Sequence, residues 1–368
     1  MISVVIAGDF SPLNRVESMM ERGQYPISAI GDFKTQEELF LLNFETVIAN
    51  DESSKISKVG PHLKCTDKVV AYLRDAGVTA VTLANNHTMD YGEKALASTT
   101  ELLESNGIKY VGAGKNLEEA RNILYLEQNN EILAIINCCE HEFSYAEINK
   151  AGTNPLNPVQ QYYSIQEAKT KADYVVVIVH GGHEFFDLPS LRMQETYRFF
   201  IDAGADAVIN HHQHCYSGYE YYNGKPIYYG IGNFNFDWPG RKTSFYTGYV
   251  VRLKLGETIK AEELPYTQCL NEPIIELKEL DGFRDDLMHK NEIIKDPEKL
   301  SQAVENYYES MIKSCEGVAT PFSNKYLKEL VKRGYLPKCI SANKKILWKA
   351  YIDCESHRDV MLNYLKKN

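Results

Sequence analysis

Five apolar segments rich in Val, Ile and Leu constrain the fold of this 368-residue chain more than any other feature. Such composition is typical of strands buried on both faces of a parallel or mixed sheet. A polar cluster follows each segment directly, where the carboxyl end of the strand would lie. The segments are Ile2 to Ala7, Leu39 to Leu42, Val78 to Ala84, Tyr174 to Val179 and Ala207 to Ile209.

Helical patterns lie between several of these strands. Thr66-Asp67 is a helix-start signal, and Gly77 ends the apolar periodicity that follows it. Leu191 to Ala203 shows the same helical pattern, and Gly204 ends it. Alternation of helix and strand in this way predicts an α/β layered fold.

A different pattern begins in the later part of the chain. Alternating segments around Asn223-Gly224 predict antiparallel hairpins, and Asn129-Asn130 predicts another. Charged amphipathic segments then predict surface helices. These segments lie around Ser301 to Cys315, Asn324 to Arg333 and Asn343 to Leu365. We therefore predict a catalytic domain over residues 1–268 and a mostly helical C-terminal extension over residues 269–368.

Charge and composition exclude several classes of protein. The net charge of −10 disfavours nonspecific binding to nucleic acid or anionic lipid, because both require clustered Lys and Arg. No segment approaches the roughly 20 apolar residues that a membrane span requires. The N-terminal residues do not form a secretory leader, and the scattered cysteines suit reduced thiols, so we expect a cytoplasmic protein.

The polar clusters after the five strands carry the functional prediction. Because the carboxyl ends of strands line the binding crevice of an open α/β sheet, we expect the clusters to converge in space. They contain carboxylates, amides and imidazoles, which is the ligand mixture that a pair of divalent metals requires. The clusters are Gly8-Asp9, Asn43-Phe44-Glu45, Asn85-Asn86-His87, His180-Gly181-Gly182-His183-Glu184 and Asn210-His211-His212-Gln213-His214.

Each cluster taken singly also has an ordinary structural interpretation. An Asp after a strand is more often a turn residue or a helix cap, and Asn-Asn is common in turns. The His211-His212-Gln213-His214 run favours metal binding more strongly, because it places three imidazoles within four positions. Oxygen ligands with imidazole and without thiolate indicate manganese, iron or zinc rather than calcium.

The order of these motifs resembles the CapA family. The most specific part is Leu83-Ala84-Asn85-Asn86-His87-Thr88-Met89-Asp90-Tyr91-Gly92, and the likeness covers about residues 1 to 265. Members of this family are associated with poly-γ-glutamate capsule synthesis and belong to the calcineurin-like metallophosphoesterase superfamily. The resemblance implies a four-layer α/β/β/α sandwich of two mixed sheets.

The resemblance also implies roles for individual residues. One metal ion would take Asp9 and His214, and a second would take Asn86, His180 and His212, with Glu45 bridging the pair. His87 would stabilise charge or protonate the leaving group.

Three further residues are candidates, each with an alternative. Asp90 would orient His87, or else cap the helix that starts near Tyr91. Glu184 would act as a general base or orient a ligand histidine. Arg15 is a candidate for binding the anionic substrate, unless it is an ordinary surface arginine.

The expected function is hydrolysis of an anionic small molecule or polymer by water that two metal ions activate. The family association suggests a γ-glutamyl amide, whereas the superfamily association suggests a phosphate ester. A function of a different class is a non-catalytic metal-binding or partner-binding component of a polymer-synthesis assembly. The hydrolase requires a complete set of metal ligands, whereas a non-catalytic component predicts a degraded set.

Overall fold

Sixteen strands are present in a computed structural model that describes residues 1–24, 33–50, 54–278, 280–318, 324–336 and 342–366. In chain order they are β1 (Ile2–Ser11), β2 (Leu39–Phe44), β3 (Ala80–Thr82), β4 (Lys109–Val111), β5 (Ala113–Gly114), β6 (Leu124–Gln128), β7 (Glu131–Cys139), β8 (Gly152–Thr153), β9 (Tyr174–His180), β10 (Ala207–His211), β11 (Tyr219–Tyr222), β12 (Lys225–Tyr228), β13 (Asn233–Phe236), β14 (Thr247–Leu255), β15 (Lys260–Gln268) and β16 (Ile275–Leu277).

The strands form two mixed sheets and a small two-stranded ribbon. The larger sheet has the order β16-β15-β14-β1-β2-β3-β4, and β13 also pairs with β1. Within it β1 to β4 are parallel, whereas β14, β15 and β16 are antiparallel. The smaller sheet has the order β11-β12-β10-β9-β7-β6, with parallel pairing in its centre.

Eleven α-helices lie within the described residues. They are α1 (Arg15–Glu21), α2 (Lys68–Asp75), α3 (Gly92–Ser105), α4 (Leu117–Ala120), α5 (Pro158–Lys169), α6 (Leu191–Asp202), α7 (Phe283–Lys295), α8 (Pro297–Val318), α9 (Lys325–Lys332), α10 (Ala342–Asp353) and α11 (Glu355–Lys366). Ser190 caps α6 by accepting a hydrogen bond from the Met193 amide. Helix α2 begins directly after Asp67, although the Asp67 side chain makes no capping hydrogen bond.

Alternate residues of the central strands face two different cores. Ile2, Val4 and Ile6 of β1 are buried with residues of β7, β9 and β10, so the two sheets pack face to face. Val5 and Ala7 point to the opposite side, where they pack with residues of α2 and α3. On the outer face of the smaller sheet, α5 packs on β7 and β9, and α6 packs on β10. The four-layer α/β/β/α prediction is confirmed.

Several local predictions are also confirmed. Asn129 and Asn130 both have positive φ, at 55° and 63°, and join β6 to β7 as an antiparallel hairpin. Asn223 and Gly224 join β11 to β12 in the same way. The final amphipathic segment forms two helices, α10 and α11, which are separated at Cys354.

The chain divides into two compact units, Met1–Ser301 and Gln302–Asn368. The first unit extends beyond residue 268, because β16 pairs with β15, and Phe283 and Leu287 of α7 are buried in the core between the sheets. The second unit is helical and contains most of α8 together with α9, α10 and α11. Among the described helices, none is both long enough and apolar enough to cross a membrane.

Candidate metal centre

The polar clusters that follow five strands lie together where the two sheets meet. Asp9 is in β1, Glu45 directly follows β2, and the loop after β3 carries Asn86. The smaller sheet contributes His180 at the end of β9 and the residues after β10. This is the arrangement expected when the carboxyl ends of parallel strands line one crevice.

Glu45 lies at the centre of the cluster. Its Oε1 atom is 3.6 Å from His180 Nε2, 3.9 Å from His214 Nε2 and 4.0 Å from His87 Nε2. The side chain is fully buried, and neither carboxylate oxygen has a hydrogen-bond partner among the described residues. A buried carboxylate without donors is costly unless a cation compensates for its charge.

Asp9 and His214 form one side of the cluster. Asp9 Oδ1 accepts a hydrogen bond from Asn43 Nδ2 at 2.7 Å, and Oδ2 lies 3.6 Å from His214 Nδ1. The His214 Nδ1 atom is also 2.9 Å from Asn233 Oδ1. Asn43 and Asn233 therefore orient the two candidate ligands, as partners of metal-binding side chains commonly do.

His180 and His212 form the other side of the cluster. His180 Nε2 is 3.0 Å from His212 Nδ1 and 3.1 Å from Asn86 Oδ1. Two ring nitrogens and an amide oxygen thus point at the same small volume. His212 Nε2 is also 3.3 Å from Glu142 Oε1, at the outer edge of the cluster.

Three groups of side chains are close enough to hold a metal ion within the described residues. Their potential ligand atoms lie within 4.8 Å of one another in each group. Two groups share Glu45, and the buried oxygens of that residue fit divalent cations. The groups are Asp9 with Glu45 and His214, Glu45 with His180 and His212, and Glu184 with His212 and His214.

Burial shapes the electrostatics of these groups. It raises the pKa of Glu45 well above its usual value, and the negative charge of Asp9 raises it further. Burial also raises the pKa of Asp9, against the opposing influence of His214. For the histidines, burial lowers the pKa of His180 well below its usual value and that of His214 to about 4. Neutral imidazoles are the protonation state that metal coordination requires.

His87 stands beside the cluster with its own partners. Its Nδ1 atom is 2.6 Å from Asp90 Oδ2, which leaves Nε2 directed at Glu45. Lys58 contacts both His87 Nδ1 and Asp90 Oδ1, and its side chain is only 2% exposed. Burial lowers the pKa of His87, while the hydrogen bond to Asp90 opposes that change. Asp90 makes no capping hydrogen bond to α3, so its contacts favour an orienting role.

Unusual backbone geometry helps to place the ligands. His212 and His214 have positive φ angles of 94° and 55°, a conformation that non-glycine residues rarely adopt. Gly8 passes so close to Gly232 that a Cβ atom at residue 8 would lie 1.8 Å from the Gly232 carbonyl oxygen. The close approach lets the Asp9 amide donate a hydrogen bond to that carbonyl.

A pocket of about 260 Å³ opens onto the cluster. Asn86, His87, Glu184 and His214 contribute to its lining on the side of the candidate ligands. The sequence analysis did not single out Lys58 or the rim residues, because each is distant in sequence from the strand-end motifs. The rim residues include Phe143, Phe185, Trp238, Arg241 and Phe245. A larger cavity of about 820 Å³, lined in part by Arg121 and Lys171, contains none of the candidate ligands.

Two residues from the sequence analysis lie at the periphery. Glu184 is exposed but has a carboxylate oxygen close to His212 and His214. Arg15 does not line the pocket. Its guanidinium is engaged by the buried Asp237 carboxylate and by the carbonyls of Cys269 and Asn271.

Comparison with known proteins identifies the family. The family described as bacterial capsule synthesis protein PGA_cap matches residues 3–238. The capsule biosynthesis protein CapA of Bacillus anthracis is 29% identical over 263 residues, 68% of this chain and 64% of that protein. The PGA biosynthesis protein CapA of Bacillus subtilis strain 168 is 33% identical over 228 residues, 61% of this chain and 60% of that protein.

The chain thus spans less than two thirds of the length of these curated relatives. Among solved structures, a putative 5'-nucleotidase from Staphylococcus aureus is similar over 80% of this chain and 58% of that chain. The identity to it is 15% and the TM-score is 0.46. Because the family match covers well over half of the sequence, the chain belongs to the bacterial capsule synthesis protein PGA_cap family, as its resemblance to CapA predicted.

Proposed function

We propose that this protein is a hydrolase that uses two divalent metal ions and acts on an anionic substrate. The observation that carries the proposal is Glu45, a buried carboxylate surrounded by three imidazoles and lacking any hydrogen-bond donor among the described residues. We assign Asp9, Glu45 and His214 to one cation, and Glu45, Asn86, His180 and His212 to the other. Manganese, iron and zinc suit this donor set.

Bound cations would supply water that ionises near neutral pH and positive charge opposite the negative charge that develops on the substrate. The protein itself contributes His87 and its partner Asp90 to the proposed reaction. The 2.6 Å contact of Asp90 Oδ2 with Nδ1 fixes the ring, so that Nε2 faces the cluster, where the imidazole would stabilise developing charge or, when protonated, protonate the leaving group. Glu184 lies beside His212 and His214, where a carboxylate can orient a ligand imidazole or accept a proton.

Two substrate classes remain candidates. The association of the CapA family with poly-γ-glutamate capsule synthesis favours a γ-glutamyl polymer, in which the bond would be an amide. The carboxylate-imidazole ligand set equally suits a phosphate ester. Both are anionic, and the net charge of −10 means that local groups must attract them.

The test is a comparison of His87→Gln with the wild-type protein after loading with manganese or zinc. Chromogenic phosphate esters and γ-glutamyl anilides or oligomers serve as substrates. We expect His87→Gln to lower kcat by about 10²- to 10⁴-fold while the metal content stays unchanged. His289→Gln is the matched control, because His289 is exposed and distant in sequence from the strand-end motifs.

Two results would contradict the proposal. The first is a wild-type protein that neither contains nor takes up metal, which would favour the non-catalytic component. The second is metal-loaded protein that turns over neither substrate class.

A further inference from the structure

Arg241 is an uncompensated cation at the rim of the metal pocket. The pocket lining in the described part of the chain includes two cationic side chains, Lys58 and Arg241. Lys58 is buried and paired with Asp90. Arg241 is exposed, and its guanidinium has neither a hydrogen bond nor an ion pair with any described residue. The positive charge at this position is therefore available to a ligand.

Aromatic rings hold the guanidinium in place without neutralising it. Its Cζ atom lies 5.4 Å from the centre of the Phe185 ring, 5.1 Å from that of Trp238 and 5.9 Å from that of Phe245. Such contacts attract a cation to the face of a ring but leave its hydrogen-bond donors unused. A planar fork of donors fixed in this way matches the geometry of a carboxylate or phosphate.

The segment that carries Arg241 is anchored at both ends. The carboxylate of Asp237 is fully buried and accepts hydrogen bonds from the Arg15 guanidinium at 2.7 to 3.2 Å. At the other end, the Tyr246 hydroxyl donates to the Trp238 carbonyl at 2.8 Å and accepts from the Arg241 amide at 3.2 Å. Arg15 is thus a positioning residue for this segment. An anchored loop spends less binding energy on ordering when a ligand arrives.

Arg241 and His214 contact the same two phenyl rings of the pocket. His214 packs on Phe185 and Phe245, with ring centroids 5.9 Å apart in both cases, and Arg241 contacts the same two rings. The guanidinium and a candidate metal ligand are therefore linked through shared aromatic neighbours. The acidic residues of the lining, Glu142 and Glu184, lie beside the histidines.

We infer that Arg241 binds an anionic group of the substrate, a carboxylate or phosphate, that is remote from the bond broken at the metals. This inference rests on the proposed function, because it requires the reacting group to lie at the metal centre. It assigns a substrate with at least two anionic groups, one at the metal centre and one at Arg241. It also explains how a chain with a net charge of −10 selects such a substrate.

The test measures binding and needs no turnover. Metal-loaded protein is titrated calorimetrically with phenylphosphonate and with its para-carboxylate. A series of ω-carboxyalkylphosphonates of increasing length follows, each paired with the matching alkylphosphonate. The phosphonate is the probe for the metal centre, and the added carboxylate is the probe for Arg241. The measured quantity is the ratio of the two dissociation constants within a pair.

For the wild-type protein, we expect the carboxylate to tighten binding about tenfold in the pair whose length fits. Arg241→Gln should abolish that advantage, and Arg241→Lys should retain part of it because the charge stays but the planar fork is lost. Lys242→Gln is the matched control. It removes the same charge from the neighbouring exposed residue and should keep the wild-type ratio.

The outcomes separate the two proposals. If the phosphonates without a carboxylate fail to bind to metal-loaded protein, the proposed action of the metal centre on anionic substrates is contradicted, and the inference with it. If they bind but the carboxylate gives no advantage at any length, the inference alone is overturned. It is also overturned if Arg241→Gln lowers the unfolding temperature and leaves the ratio unchanged, because the guanidinium would then serve only to stack on the rings.

Discussion

At the scale of single residues, Glu45 is the group whose environment most requires a ligand. Burial raises its pKa well above the usual value, and Asp9 adds a second negative charge nearby. A group with a raised pKa in the folded state stabilises the protein fully below its unfolded pKa, and that contribution is lost as pH rises through the folded pKa. In metal-free protein, ionisation of the buried Glu45 should therefore lower the free energy of unfolding as pH rises above about 4.5.

Glu45→Gln removes this dependence. In the presence of a chelator, we expect the variant to be more stable than wild type at neutral pH, because the neutral amide avoids the cost of ionising a buried carboxylate. Thermal unfolding between pH 5 and 8 measures how the difference grows with pH. Added manganese or zinc should reverse the order, because only the wild-type carboxylate can bridge two cations.

Glu257→Gln provides the control for this experiment, because Glu257 is exposed and lies in the turn between β14 and β15. It should show neither the pH-dependent gain nor the reversal. A Glu45→Gln protein that metal stabilises as much as it stabilises wild type would rule out the bridging role of this carboxylate.

At the scale of secondary-structure elements, the residues at positive φ in a two-residue turn affect the stability of the hairpin. Asn130 has a φ of 63° in the two-residue turn between β6 and β7, a region in which glycine is less strained than other residues. Asn130→Gly should raise the free energy of unfolding by about 0.5 to 1 kcal/mol. Asn130→Ala should lower it by about 1 kcal/mol, because alanine lacks the local hydrogen bonding that asparagine offers there.

Chemical denaturation of both variants measures these changes. Thr258→Gly, in the β14 to β15 turn, controls for the general effect of adding a glycine to a connection. An Asn130→Ala protein as stable as Asn130→Gly would show that the positive φ angle carries no cost at this position.

The elements also explain which parts of the site the sequence could predict. The strand-end clusters were predictable within each sheet, because the parallel pairing of β1 with β2 places Asp9 and Glu45 at the same end whatever the loops do. His180 ends β9 of the smaller sheet and joins them because the two sheets pack face to face. Lys58 and Arg241 were not, because each lies on a connection whose path depends on distant contacts. Arg241, for example, is placed by the hydrogen bonds of Asp237 to Arg15 and of Trp238 to Tyr246.

The elements after residue 268 also depend on contacts with distant parts of the chain. The alternating pattern ends at β15, and nothing local in the sequence indicates that β16 pairs with it or that α7 covers the core. Packing of Phe283 between the sheets depends on side chains far away in the chain, such as Tyr216 and Tyr249. Periodicity alone therefore gives no signal for the elements that pack on the sheets after residue 268.

At the scale of the whole molecule, every candidate ligand lies within the first compact unit, Met1–Ser301. A chain that ends at Val318 keeps this unit and all of α8. We expect such a chain to take up the same amount of metal as the full chain and to unfold cooperatively. Elemental analysis and thermal unfolding with and without chelator measure both properties.

A chain that ends at Gln268 should behave differently, because it loses β16 and the buried side chains of Phe283 and Leu287. Burial of two large apolar side chains contributes about 3 to 6 kcal/mol, which is a large fraction of the stability of a typical domain. We expect this shorter chain to aggregate or to unfold at a much lower temperature. Equal stability of the two truncated chains would instead place the end of the folding unit at residue 268 and make α7 an accessory helix.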